Sequence, residues 1–214
     1  YVGVRYWFDG YDITELKENG ILSSSTITGS EGGNVSSLGL ISLVDSRDDY
    51  NYPTQGTYFE FVALPNLNAF GSDFEFTRFS ADYVKYLSKE KNVLAINLFG
   101  TATIGNPPFN EMALIGGTRR MRGYFEGRFR NRNMLMVQAE YRRELRWKLG
   151  LVAFTGFGVV SDKINSFEAK NSKASGGLGL RYQLSKDERI NLRLDYGIGE
   201  EGSSGFYLTI GEAF

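Results

Sequence analysis

Apolar and polar residues alternate along this chain with a period of two, the repeat of a β-strand whose successive side chains point to opposite faces. Over 189–198, Ile190, Leu192, Leu194, Tyr196 and Ile198 share one face; Arg189, Asn191, Arg193, Asp195 and Gly197 share the other. Over 177–184, Leu178, Leu180, Tyr182 and Leu184 oppose Gly177, Gly179, Arg181 and Gln183. Segments 92–102, 133–145 and 206–214 carry the same pattern. In all it predicts about ten strands, near 1–8, 35–46, 56–66, 73–87, 92–103, 133–145, 148–160, 175–185, 189–199 and 204–214. Most exceed the ~5–6 residues of an ordinary strand and match the ~9–11 needed to cross a bilayer at a tilt.

The connections sort into two sets along the chain. Those at 88–91, 146–147 and 185–188 are tight, whereas 9–33, 105–132 and 161–174 are long. Short periplasmic turns facing long outer loops are a property of transmembrane barrels, and that rule puts Phe214 on the periplasmic side. Alternation alone does not say which face is inside. The polar face mixes Glu140, Arg142, Arg181, Arg193 and Asp195 with many glycines. Small residues suit a crowded lumen better than a solvated surface. This favours an all-β antiparallel transmembrane barrel, with a soluble lipocalin-like barrel or sandwich as the alternative.

Composition sharpens the picture. Of 214 residues 26 are glycine, against a usual ~7%. Tyr and Phe are abundant and proline is scarce, a strand-and-turn composition far from that of disorder. There is no cysteine and no histidine, which removes disulfides, thiolate and Ser-His-Asp nucleophiles and the usual zinc ligands. No catalytic residue, metal site or cofactor is expected. The acidic group Asp45, Asp48 and Asp49 lacks EF-hand spacing and reads as a polar turn. The formal net charge of −1 argues against a global nucleic-acid binder.

The most unusual segment lies between two strong strands. Arg119, Arg120, Arg122, Arg128, Arg130 and Arg132 are interleaved there with Tyr124, Phe125 and Phe129. Arginines among stacking aromatics can bind RNA. The rest of the chain is not basic, so arginines paired to carboxylates inside or above a barrel are the favoured reading, with no nucleic-acid partner.

Three motifs, in order, resemble one family. They are Asp45-Ser46-Arg47 followed by Pro53-Thr54-Gln55-Gly56; Gly116-Gly117 with Arg122-Gly123-Tyr124 and then Glu140-Tyr141-Arg142; and the C-terminal alternation Phe206, Leu208, Ile210, ending in Phe214. They resemble the C-terminal barrel of the BamA/TamA-type outer-membrane assembly factors, the bacterial surface-antigen barrel. The resemblance implies that the long outer loop, 104–132, folds back into the barrel. Arg122, Gly123 and Tyr124 would form its tip and Glu140 the wall carboxylate that receives it, as a simple lock or as a functional lever. The family often supplies a second acid in the next strand, where this chain has Gly156. Phe206, Leu208, Ile210 and Phe214 would form a seam strand, 204–214, and an outer-membrane targeting signal, with Phe214 facing lipid.

The resemblance further implies a single barrel domain over 1–214, formed by the last ten strands of a sixteen-stranded barrel. A closed ten-stranded barrel is the alternative. The function implied is non-enzymatic insertion of outer-membrane proteins, or polypeptide translocation, through a lateral seam in the bacterial outer membrane. Its partners would be membrane lipids, client outer-membrane or secreted polypeptides, and periplasmic domains or accessory subunits. A translocator barrel for a fused patatin-like lipase and a pore without clients are the rival readings.

Overall fold

The structure is a computed structural model that describes residues 1–16, 18, 20, 22 and 26–214. Part of the connection expected at 9–33 therefore lies outside the described residues. Ten long strands form one antiparallel sheet, each hydrogen-bonded to its neighbours in chain order. They are Val2–Tyr11 (β1), Gly33–Asp45 (β2), Gly56–Asn66 (β3), Phe76–Lys89 (β4) and Asn92–Gly105 (β5). After the loop strands Ala113–Ile115 (β6) and Phe129–Asn131 (β7) come Asn133–Glu144 (β8), Leu149–Ser161 (β9), Lys173–Ser185 (β10), Ile190–Gly199 (β11) and Ser204–Ile210 (β12). β1 and β12 are the two edges, and no ladder joins them among the described residues.

Burial settles the question that alternation left open. On β10–β12 the exposed side chains include Leu178, Leu180, Tyr196, Phe206, Leu208 and Ile210. The fully buried ones include Asp195 at 0% and Arg193 at 2% exposure, and on β8 Glu140 at 0%. A water-soluble sheet buries its apolar face; this one presents it outward and encloses its charges. That inversion fits a hydrocarbon solvent, in which only a sheet curled toward closure satisfies its backbone.

The curl shows in contacts between strands far apart in the sheet. The turn after β2 reaches the turn after β10: the Asn51 side-chain amide donates to the Glu188 carbonyl at 2.8 Å, and Arg189 pairs with Asp48 at 3.3 Å. Arg142 of β8 donates to the Pro53 carbonyl at 3.3 Å. The acidic group is thereby occupied. Asp48 accepts from the Thr54 hydroxyl at 2.6 Å and from the Thr54 and Gln55 amides, and Asp45 accepts three hydrogen bonds from Arg47, two of them from its guanidinium. This turn lies across the tight-turn end of the sheet, with Tyr52 buried beneath it.

Several boundaries depart from the sequence reading, β4 for instance starting at Phe76 rather than 73. The first strand runs on to Tyr11. The last ends at Ile210 rather than 214. Gly211 adopts φ +85°, a left-handed conformation, and its amide donates to the Asn191 carbonyl at 2.8 Å. The chain then turns inward, Ala213 is fully buried, and Phe214 packs against Val84, Tyr86 and Ala95 on the inner face. Phe214 is therefore not a lipid-facing residue.

Candidate functional site: a loop docked on a buried arginine–carboxylate cluster

The connection 106–132 folds back along the inner face instead of standing above it. β6 and β7 pair as a short ribbon, with Ile115 opposite Phe129. Beyond it the chain doubles back at Gly116 and Gly117, both at positive φ. A Cβ on Gly116 would strike the Phe125 carbonyl, so the turn closes only around glycine. Ile115, Met121 and Tyr124 pack with Phe99, Met134 and Met136 of β5 and β8, a small apolar core between loop and wall. The Met121 amide donates to Gln138 at 3.1 Å, and Gln138 donates back to the Arg119 carbonyl at 2.8 Å.

At the tip, Arg122 is 2% exposed and donates through Nη2 to Glu140 of β8 and through Nη1 to Asp195 of β11. Its guanidinium lies over Phe154 of β9, 3.7 Å from the ring centroid. Both carboxylates are shared. Glu140 also accepts from Arg142 at 2.7 Å, and Asp195 from Arg181 at 2.6 Å, with Arg193 at 3.4 Å. Glu212 of the inward-turned tail completes the group, 2.8 Å from Arg181 and 3.8 Å from Arg142. Four arginines and three carboxylates thus interlock with almost no solvent contact. A fork-shaped cation suits this better than lysine, because it bridges two acids on different strands at once.

The wall is hollowed to receive the tip. A Cβ on Gly197 would lie 2.6 Å from the Gly123 nitrogen and 2.7 Å from the Arg122 carbonyl carbon. One on Gly199 would enter the Tyr124 ring, and one on Gly179 the Arg181 guanidinium at 2.7 Å. Gly197 and Gly199 of β11 are therefore a slot for the loop, and Gly179 of β10 leaves room for the Asp195 and Arg181 side chains. Gly156, where a second acid was expected, is covered instead by Met121, with its Cγ 3.3 Å from a would-be Cβ. The second acid is Asp195, two strands further along the sheet.

The tip is also fastened to the last strand. The Gly123 amide donates to the Tyr207 hydroxyl at 2.8 Å, and that hydroxyl donates to the Tyr124 carbonyl at 3.1 Å. The Ser203 hydroxyl donates to the Gly123 carbonyl at 2.7 Å. Arg193 links Thr209 at 2.7 Å to the Thr118 carbonyl at 3.0 Å. The Tyr124 hydroxyl donates to the Ala174 carbonyl at 2.6 Å and accepts from the Glu200 amide at 2.8 Å. Phe206, Leu208 and Ile210 stay on the outer face, 75%, 67% and 70% exposed, and Phe214 stands apart from them.

Of the residues singled out in the sequence, Arg122, Gly123, Tyr124 and Glu140 converge on one place. Asp195, Arg181 and Arg193 are legible in the sequence only as members of the polar face, and Arg142 also as the last residue of the Glu140-Tyr141-Arg142 motif. Glu212 and Tyr207 had no signal beyond their position near the C-terminus. Among the described residues no group of acids is arranged to hold a metal. The arrangement offers no nucleophile with an adjacent base; it is a fastening between loop, wall and edge strand.

An outwardly apolar antiparallel sheet, with a charged interior into which a long loop is docked, defines an outer-membrane β-barrel protein. The Omp85 superfamily domain matches residues 14–214, and the chain belongs to that superfamily. Among curated proteins, none matches the chain. The fold is similar to BamA from Haemophilus ducreyi lacking POTRA domains 1-3, with a TM-score of 0.69 and 16% identity over 97% of this chain. It is also similar to CdiB from Acinetobacter baumannii, with a TM-score of 0.54 and 17% identity over 83% of this chain. The chain spans 49% of that BamA chain and 33% of that CdiB chain.

Proposed function

We propose that this protein inserts outer-membrane proteins into the bacterial outer membrane or translocates a polypeptide across it, without covalent catalysis. In this reading β12 forms one lip of a lateral seam and the docked loop holds that lip in place. One observation carries it: the loop tip is bonded to the inner face of the last strand, the Gly123 amide donating to the Tyr207 hydroxyl of β12 and that hydroxyl donating to the Tyr124 carbonyl. Membership of the Omp85 superfamily supports the same reading.

Residues 1–214 act as one barrel domain. Arg122, Gly123 and Tyr124 latch to Glu140 and Asp195, and the latch is required for activity. Phe206, Leu208 and Ile210 meet lipid at the seam, and they form with Phe214 the signal by which the protein is itself assembled. The C-terminus lies on the periplasmic side, where the turns are short. The clients are unfolded outer-membrane or secreted polypeptides.

Because the chain has no cysteine, a single one introduced as Ser204→Cys or Gly205→Cys is a clean crosslinking probe of the edge. The expected result is a disulfide or maleimide adduct to a nascent client, together with loss of folded outer-membrane proteins or secreted polypeptide on depletion. No adduct, with an unchanged outer membrane and unchanged secretion, would overturn the reading.

A further inference from the structure

Ion pairs occur at both rims of the sheet. At the long-loop rim Arg128 pairs with Glu201 at 3.1 Å, Arg132 with Asp162 at 3.3 Å, and Lys173 with Glu200 at 3.4 Å; at the tight-turn rim Arg47 pairs with Asp45 and Arg189 with Asp48. At the tight-turn rim, the turns after β4 and β8 carry Lys89, Lys91, Arg143, Arg146 and Lys148, all exposed. Among the described residues none of the five has an ion-pair partner. Only Glu90 and Glu144 lie among them in sequence. The two turns form one surface, because the Glu144 amide donates to the Lys91 carbonyl at 2.9 Å.

Trp147 stands at the crest of this basic patch, 88% exposed. It and Lys148 occupy the middle of the hairpin turn with φ of +61° and +63°. Such positions favour Asn or Gly, and a bulky side chain there is strained. Neither packing nor turn geometry therefore accounts for an indole at this point. Directly beyond it on the outer face lie Leu87, Leu94, Tyr141, Leu149 and Leu151, all exposed and all facing lipid in a membrane barrel. An indole between an apolar wall and a set of unpaired cations matches the depth of lipid headgroups.

We propose that the β4–β5 and β8–β9 turns form a binding surface for anionic phospholipid headgroups. Lys89, Lys91, Arg143, Arg146 and Lys148 supply the counter-charge, and Trp147 anchors the surface at the interface. The lipid phosphodiesters provide the partners that these cations lack within the chain. The inference uses the orientation proposed above only to place this rim at the periplasmic, phospholipid leaflet; it does not depend on any client.

The test uses the two tryptophans of the chain. Trp7→Phe leaves Trp147 as the one tryptophan of residues 1–214, excited selectively at the red edge of the indole band where the 13 tyrosines do not absorb. The protein is reconstituted in phosphatidylcholine vesicles holding about 20 mol % phosphatidylglycerol, with brominated acyl chains placed in equal amount on one lipid class or the other. Brominated phosphatidylglycerol is expected to quench Trp147 about twice as strongly as brominated phosphatidylcholine. The excess disappears near 1 M salt, which needs no further variant. It shrinks on adding Arg146→Ser and Lys148→Ser, which remove two of the five cations. Equal quenching by both lipids would overturn the proposal, since the rim would then touch the bilayer without selecting charge. Absence of quenching would overturn it as well, since Trp147 would then lie outside the membrane. Neither outcome bears on polypeptide transport.

Discussion

Arg122 reaches two carboxylates that belong to strands three apart in the sheet, and its removal leaves both of them buried with fewer cations. Breaking a buried pair from one side costs about 3–5 kcal/mol. Arg122→Ala is expected to lower stability by that order, measured by guanidinium unfolding in detergent. Arg122→Lys recovers only part of it, because an ammonium group cannot fork between Glu140 and Asp195. Gly197 is a separate case. Alanine there presses a methyl group against the backbone of Arg122 and Gly123, which no side-chain rotation relieves. Gly197→Ala should expose the loop to protease at its many arginines while leaving the strands intact; an equally resistant loop would show that the slot is not needed for docking.

At the level of the strand, β12 was legible in the sequence and its end was not. Phe206, Leu208 and Ile210 share a parity with Phe214, so alternation alone carries the strand through to the last residue. The break comes from a left-handed Gly211 and from the pull of Arg181 and Asn191 on Glu212, a three-dimensional contact with no linear signature. Asp195 was hidden for the same reason. Its polarity placed it on the inner face, but Arg122 lies 73 residues earlier, on a loop rather than a neighbouring strand. The long strands themselves were readable because a sheet between two solvents writes its period into every residue. Within β12, Tyr207 is the point of attachment. Tyr207→Phe leaves the Gly123 amide without its acceptor, a loss of about 1–3 kcal/mol. Hydrogen exchange should then quicken across Ser204–Ile210 but not across β9; uniform protection would separate the strand's order from the loop.

For the molecule as a whole, stability depends on which solvent meets which face. Leu180 is 52% exposed on the outer surface while its neighbour Arg181 is buried in the cluster. Leu180→Arg should cost about 2–4 kcal/mol in a bilayer if it sits near mid-depth. The same change should be almost silent if this surface meets water, so refolding into vesicles distinguishes the two. The tight-turn end adds a dependence on pH. Burial pushes the Asp48 carboxyl up, but hydrogen bonds from Thr54, Gln55 and Arg189 outweigh it and hold the group well below the usual carboxylate range. A group that ionises more readily when folded contributes fully above its unfolded value near ~4 and is lost as pH falls through the folded one. The turn should therefore loosen only under strong acid, seen as protease cleavage near Arg47, and Asp48→Asn should abolish that pH dependence. The fastening of β12 has a mechanical consequence. Among the described residues, what grips β12 apart from β11 reaches it across its inner face, like a door hung from inside. The outward side chains Phe206, Leu208 and Ile210 can therefore change their surroundings while that hinge stays closed, so a rearrangement of the wall and release of the loop are separate motions.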